Sequence, residues 1–138
     1  MKMEAIKRPN LPRIGLFACF SGGSNTGSLT GLAALEVIRR LGNEEAGICS
    51  LPALLNQVPR QSDLVRKIAK IVVIDGCHQS CAKQLLANAG IKPQAYLNLE
   101  TDLGLMKKGP FSSLDFNDEQ IKQVAEAILA IINDLNKG

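Results

Sequence analysis

The chain has 138 residues, of which 46% are hydrophobic, only 4% aromatic and 21% charged, with a net charge of +3. That length fits one domain, with 1–12 as a basic lead-in and 13–138 as a single α/β unit, large enough to bury an aliphatic core without a covalent staple. No apolar run approaches a membrane span and no basic run is interleaved with aromatics, so neither a membrane nor a nucleic-acid partner is expected.

The opening residues Lys2, Lys7, Arg8 and Arg13 read as a solvated basic segment. They carry no apolar stretch of the secretory kind, which makes the cytoplasm the expected location. In that reducing compartment four cysteines point to metal ligands or catalytic thiols rather than disulfides.

Ile14-Gly15-Leu16-Phe17-Ala18 predicts a first buried strand. A loop rich in small residues follows, Cys19 to Gly27, and then a helix over about 28–41 with Leu32, Leu35 and Ile38 as its apolar stripe, Val37 beside it, Leu41 closing the last turn and Gly42 as its stop. Ala46-Gly47-Ile48-Cys49 is a shorter strand candidate. Residues 50–62 hold two prolines and little regular pattern, before a helix around 62–69 capped by Ser62 or Asp63.

Ile71-Val72-Val73-Ile74 is the clearest strand, a β-branched run suited to burial on both faces. Asp75-Gly76 leads into a helix over about 77–89 that Gly90 ends. Tyr96-Leu97-Asn98-Leu99 is a fourth strand candidate. The last helix, about Asp118 to Leu135, carries Ile121, Val124, Ala125, Ile128, Leu129, Ile132 and Leu135 at helical spacing, with Asn117 or Asp118 as its cap. Strands alternating with helices predict a three-layer α/β/α fold around a mostly parallel sheet of about four strands, Rossmann- or flavodoxin-like.

Cys19 follows the first strand, Cys49 closes the second, and Cys77 lies just past the third. In a parallel sheet those strand ends share one edge, the edge at which open α/β sheets bind ligands. Cys81 is four residues beyond Cys77, a spacing that on a helix puts both on one face. Four thiolates suffice for tetrahedral zinc at Zn–S distances of about 2.3 Å, and they could equally hold an iron–sulfur cluster.

The loop residues Ser21, Gly22, Gly23, Ser24, Asn25 and Gly27 join strand to helix and could cradle a small anion with backbone N–H groups, although they match neither a dinucleotide fingerprint nor a Walker sequence. A phosphatase-type thiol loop is excluded, because it needs an arginine and none occurs in 19–38. His78, the only histidine, does not share a helical face with Cys77 and reads as solvent-facing or as a partner behind the metal ligands. Asp75 reads either as a helix cap or as an acceptor or base beside the metal.

Taken together, Asp75-Gly76-Cys77 with Cys81, the early Cys19…Gly22-x-Ser24-Asn25-x-Gly27 segment, Cys49 and Thr101-Asp102-Leu103-Gly104 resemble the DGC-domain family of zinc-binding proteins, over about residues 13–108. The resemblance implies a small cytoplasmic protein in which zinc binding is inferred from these same cysteines, with no assigned activity. His78 departs from the proline expected after the signature cysteine.

Three readings follow from the residues. One is a closed four-cysteine zinc site serving structure, sensing or metal handling. A second is an enzyme with zinc on three cysteines and a fourth position open beside the small-residue loop. The third is thiol redox or iron–sulfur chemistry. A homodimer is the base-rate expectation for a small α/β domain.

Overall fold

The structure is a computed structural model and describes residues 10–137. Lys2, Lys7 and Arg8 of the basic lead-in lie outside the described residues. Four strands, β1 (Ile14–Ala18), β2 (Ala46–Ile48), β3 (Lys70–Asp75) and β4 (Ala95–Asn98), form an all-parallel sheet in the order β2-β1-β3-β4. Six helices surround it: α1 (Asn25–Leu41), α2 (Leu51–Leu55), α3 (Pro59–Lys67), α4 (Cys81–Asn88), α5 (Leu99–Leu103) and α6 (Asp118–Lys137). The α/β fold is as the residues predict, and the strand order is that of the first four strands of a flavodoxin-like sheet.

Alternation along the strands decides which side chain meets which layer. Ile14, Leu16 and Ala18 of β1 with Val72 and Ile74 of β3 face α1 and α6, where Leu29, Ala33, Ala34, Val37, Val124, Ala125, Ile128 and Ile132 complete one core. Phe17, Ile71 and Val73 face the opposite layer, against Leu54 of α2, Val65 of α3, and Ala82 and Leu86 of α4. Because both faces are covered, β1 is buried along its whole length and β3 from Ile71 onward, which is why they read as continuous apolar runs. None of the described helices is long and apolar enough to cross a membrane.

The structure corrects several sequence expectations. The first helix begins three residues early, at Asn25, because Ser24 caps it by accepting from the Gly27 N–H at 3.2 Å. Its sheet-facing stripe is Leu29, Ala33, Ala34 and Val37, with Ile38 and Leu41 packed against the same core; of the predicted apolar residues only Leu32 and Leu35 lie on the wrong, exposed side. Small alanines face the sheet there, and the larger leucines mislead a count of apolar residues.

The segment 50–62 is not irregular. Ser50 caps α2 by accepting from the Ala53 N–H, and α3 starts at Pro59, ahead of Ser62 and Asp63, since proline lacks the N–H that a first turn leaves unpaired. The fourth helix begins at Cys81, not Cys77. A turn closed by Ser80 N–H to Cys77 O at 3.1 Å, with Ser80 at φ 54°, comes first. Leu99 opens α5 instead of ending β4. At α6 the expected cap holds: Asn117 and Gln120 exchange side-chain-to-backbone bonds at 2.9 and 3.1 Å, a reciprocal capping box.

Candidate metal centre

Parallel strands deliver Cys19, Cys49 and Cys77 to the same rim, but only part of the set meets. Cys19, Cys77 and Cys81 line one small cavity of about 70 Å³ together with Ser21, Ser24, Thr26, Gly27, Asp75, Gly76, Gln79 and Lys107. It sits in the crevice between β1 and β3, where the strand order reverses and doubly wound sheets hold their ligands. The space suits an ion and a small ligand and is far below the size of pockets that hold cofactor-sized molecules.

Cys49 stands apart. Its N–H bonds Leu16 O, which puts it level with Phe17 and two residues below Cys19 along the sheet. It is also one strand further from the crevice, so it is offset by about 7 Å along the strands and about 5 Å across them. Its sulfur leans back over Gly15, where a Cβ would lie 3.0 Å from it, and burial pushes its thiol pKa up to about 11. Cys49 lines a different, larger depression of about 440 Å³ with Leu11, Pro12, Ile48, Val65 and Ile68. Another, of about 430 Å³ between Leu54, Leu55, Arg66 and Leu85, contains no cysteine. Volume and chemistry therefore point to different places, and the metal-binding residue types gather at the smaller cavity.

Each thiol at the cavity has a distinct neighbour. Cys19 Sγ lies 3.5 Å from Thr30 Oγ1, whose own proton is directed to Gly27 O at 2.7 Å, so the Cys19 thiol is the donor of that pair. As a thiolate it would lose this bond and be free to turn into the cavity. Cys77 Sγ receives Lys107 Nζ at 3.6 Å. Cys81 is the first residue of α4 and is exposed. Two helix N-termini open here, α1 through Ser24, Thr26 and Gly27 and α4 through Cys81, so their partial positive charge and the Lys107 ammonium both favour negative groups.

Asp75 is 1% exposed and fully partnered. Its Oδ1 accepts from the Ala82 N–H at 2.9 Å, and its Oδ2 from the Lys83 N–H at 3.0 Å and the Tyr96 hydroxyl at 3.0 Å. It caps α4 from the end of β3 in place of Ser80, whose side chain makes no cap bond. Of its two sequence readings the structure supplies the helix cap. Tyr96, whose pKa is raised by burial and by the neighbouring Asp75 carboxylate, also receives Asn98 Nδ2 at 3.0 Å.

His78 is absent from the cavity wall. Its Nδ1 and backbone N–H both reach Glu100 Oε1, at 2.6 and 3.0 Å, and those bonds hold the Glu100 carboxyl below its ordinary pKa. Of the loop residues, Ser21, Ser24 and Gly27 line the cavity, and Gly23 lines a neighbouring depression with Lys107, Lys108 and Phe111. Asn25 and Gly22 line neither. The Asn25 side chain bridges to the segment around Lys107 instead.

The glycines of both motifs are set by contact. A Cβ on Gly27 would fall 1.8 Å from Ser21 O, and one on Gly76 would fall 2.8–2.9 Å from the backbone of Thr26 and Gly27. The end of β3 is thus pressed against the first turn of α1, which brings Cys77 to Cys19. In the Thr101-Asp102-Leu103-Gly104 segment, Asp102 accepts from the Asn98 N–H at 2.8 Å and Gly104 ends α5 at φ 66°. Asn98 Nδ2 in turn holds Cys77 O at 2.8 Å, so this motif supports the Cys77 turn from behind.

Lys107 and Thr30 escape a sequence reading. Lys107 is one of two adjacent lysines in a segment without regular structure, and only the placement of β4 beside β3 brings it to Cys77.

The donor set fits a thiophilic metal in kind, three cysteines around one cavity. Among the described residues, no three His, Cys, Asp or Glu side chains are already close enough together to hold an ion, so the thiols must turn inward for one to bind. No match is found among curated proteins or among solved structures. The family model described as DGC domain matches residues 15–128, a span that includes all four cysteines and Lys107, and the chain belongs to the DGC-domain family.

Proposed function

We propose that this chain binds one zinc ion through Cys19, Cys77 and Cys81, leaving a fourth position open toward Lys107 and the Ser21–Gly27 loop. The observation that carries this reading is the cavity itself: three thiols, one after β1 and two from the β3–α4 connection, line it and the fourth cysteine does not. Three thiolates would leave the zinc centre with a net charge of about −1 instead of −2, so that a bound ion could still polarise a water or a small anionic ligand. The loop hydroxyls of Ser21 and Ser24 and the Lys107 ammonium border that ligand's place. Asp75, with both oxygens engaged, holds α4 and is not a free base.

A closed four-cysteine site is less well supported, because Cys49 would have to bridge both its offset along the sheet and the extra strand. Metal content and reactive thiols, measured together on the untagged chain, decide between the readings. One zinc is expected in the native chain and in Cys49→Ser. Cys19→Ser, Cys77→Ser and Cys81→Ser are each expected to lose affinity at least tenfold. Excess zinc at about 100 times its dissociation constant should stabilise the native fold by about 2.7 kcal/mol. A Cys49→Ser chain that loses zinc as Cys81→Ser does would restore the four-thiolate site. A coloured iron-containing protein would indicate a cluster, and four free thiols with no metal would overturn the proposal.

A further inference from the structure

Asn25 is 3% exposed, and its side chain makes two bonds that bracket one residue. Its Nδ2 donates to Met106 O at 3.0 Å and its Oδ1 accepts from the Lys108 N–H at 2.8 Å. The residue between them is Lys107, whose ammonium reaches Cys77 Sγ at 3.6 Å. The same segment is tied to the first loop at further points: the Asn25 N–H donates to Ser112 Oγ at 3.1 Å, the Ser112 N–H donates to Gly23 O at 3.2 Å, and Ser113 Oγ donates to Gly22 O. A flexible four-carbon lysine stem has little directional preference of its own. A primary amide has one donor end and one acceptor end, and here both are used on the two peptide groups flanking the lysine.

We propose that Asn25 is a positioning residue for the thiol cluster, clamping the backbone on both sides of Lys107 so that its ammonium is held at Cys77 and supplies the counter-charge of the cavity. This rests on the cavity being a thiolate site, and it assigns the Asn of the Ser24-Asn25 motif a role that direct ligand binding does not require. The clamp thus brings Lys107 into the wall of the cavity, although it is distant in sequence from every cysteine.

Local charge at Cys77 is measured without any metal by comparing its alkylation by iodoacetate, an anion, with that by neutral iodoacetamide, read on the Cys77 peptide by mass spectrometry. The chain is tested as purified and again after chelator treatment. In the chelated native chain the held ammonium should raise the anionic-to-neutral rate ratio, and Lys107→Met should lower it about three- to tenfold, with Lys107→Arg largely retaining it. Asn25→Ala should lower it as far as Lys107→Met, and the double variant should fall no further than either alone, because the two changes remove the same charge from the same place. If Asn25→Ala does not fold, Asn25→Ser, which is also uncharged but too short to hold both flanking peptide groups, is read by the same ratio.

A folded Asn25 variant with the native ratio, or a fully additive double variant, would overturn the proposal. Zinc affinity of the same chains, expected to fall three- to tenfold in both single variants, is the second readout. A native chain that binds no zinc yet shows the charge effect at Cys77 would end the metal reading and leave the clamp standing.

Discussion

At the scale of single residues, the site is organised by groups whose partners are all inside the protein. Asp75 holds the first turn of α4 and the Tyr96 hydroxyl at once, so it fixes Cys81 through the helix that Cys81 begins. Replacing Asp75 by Asn keeps the shape but removes one acceptor and places an amide donor against a backbone N–H or the phenol. A buried donor left without an acceptor costs about 1–3 kcal/mol. Asp75→Asn is therefore expected to lower unfolding free energy by about 2 kcal/mol in urea titrations, and to weaken metal retention through a looser α4 start. Asn25 is the counterpart on the other side of the cavity. Its place in a small polar loop suggests contact with a ligand, but its amide is engaged by the backbone around Lys107. A sequence shows that an amide is present and not which groups saturate it.

At the scale of elements, the joint between β3 and α1 brings Cys77 to Cys19. Gly76 lies so close to the Thr26 and Gly27 backbone that a methyl group there meets main-chain atoms that cannot swing aside. Gly76→Ala is expected to destabilise the fold by about 1–3 kcal/mol and to separate the two cysteines, seen as zinc affinity lost with all four thiols intact. An unchanged melt and unchanged affinity would show that the joint opens freely. Most elements were legible because strands covered on both faces are continuous apolar runs, and because α6 repeats its apolar residues at helical spacing. The starts of α1 and α4 were not. Ser24 caps ahead of a glycine, and Asp75 caps α4 across an intervening turn, an arrangement that local residue order does not encode.

At the scale of the whole molecule, strand order separates Cys49 from the other cysteines. All four follow strands or begin a helix near one rim, but the crevice opens between β1 and β3, and β2 lies on the far side of β1. Cys49 is instead held as a neutral thiol in an apolar setting, its pKa pushed from 9.0 to about 11 by burial. The folded chain thus keeps this proton between about pH 9 and 11 while the unfolded chain releases it, so stability falls as pH rises through that window and is unaffected below it. The loss is at most about 3 kcal/mol. Urea unfolding of chelated protein at pH 8, 9.5 and 10.5 should show a steeper decline for the native chain than for Cys49→Ser, and parallel declines would place Cys49 in water.

The residues alone determined the α/β class, the parallel sheet and the rim toward which all four cysteines are drawn, because buried strands and their ends are written in local apolar pattern. Tertiary structure alone decided that Cys49 stands outside the cavity, that Asp75 is a cap, and that Lys107 and its Asn25 clamp belong to the site. Those outcomes depend on strand order, register and saturation of hydrogen bonds, which join residues far apart in the chain and leave no periodic trace in it.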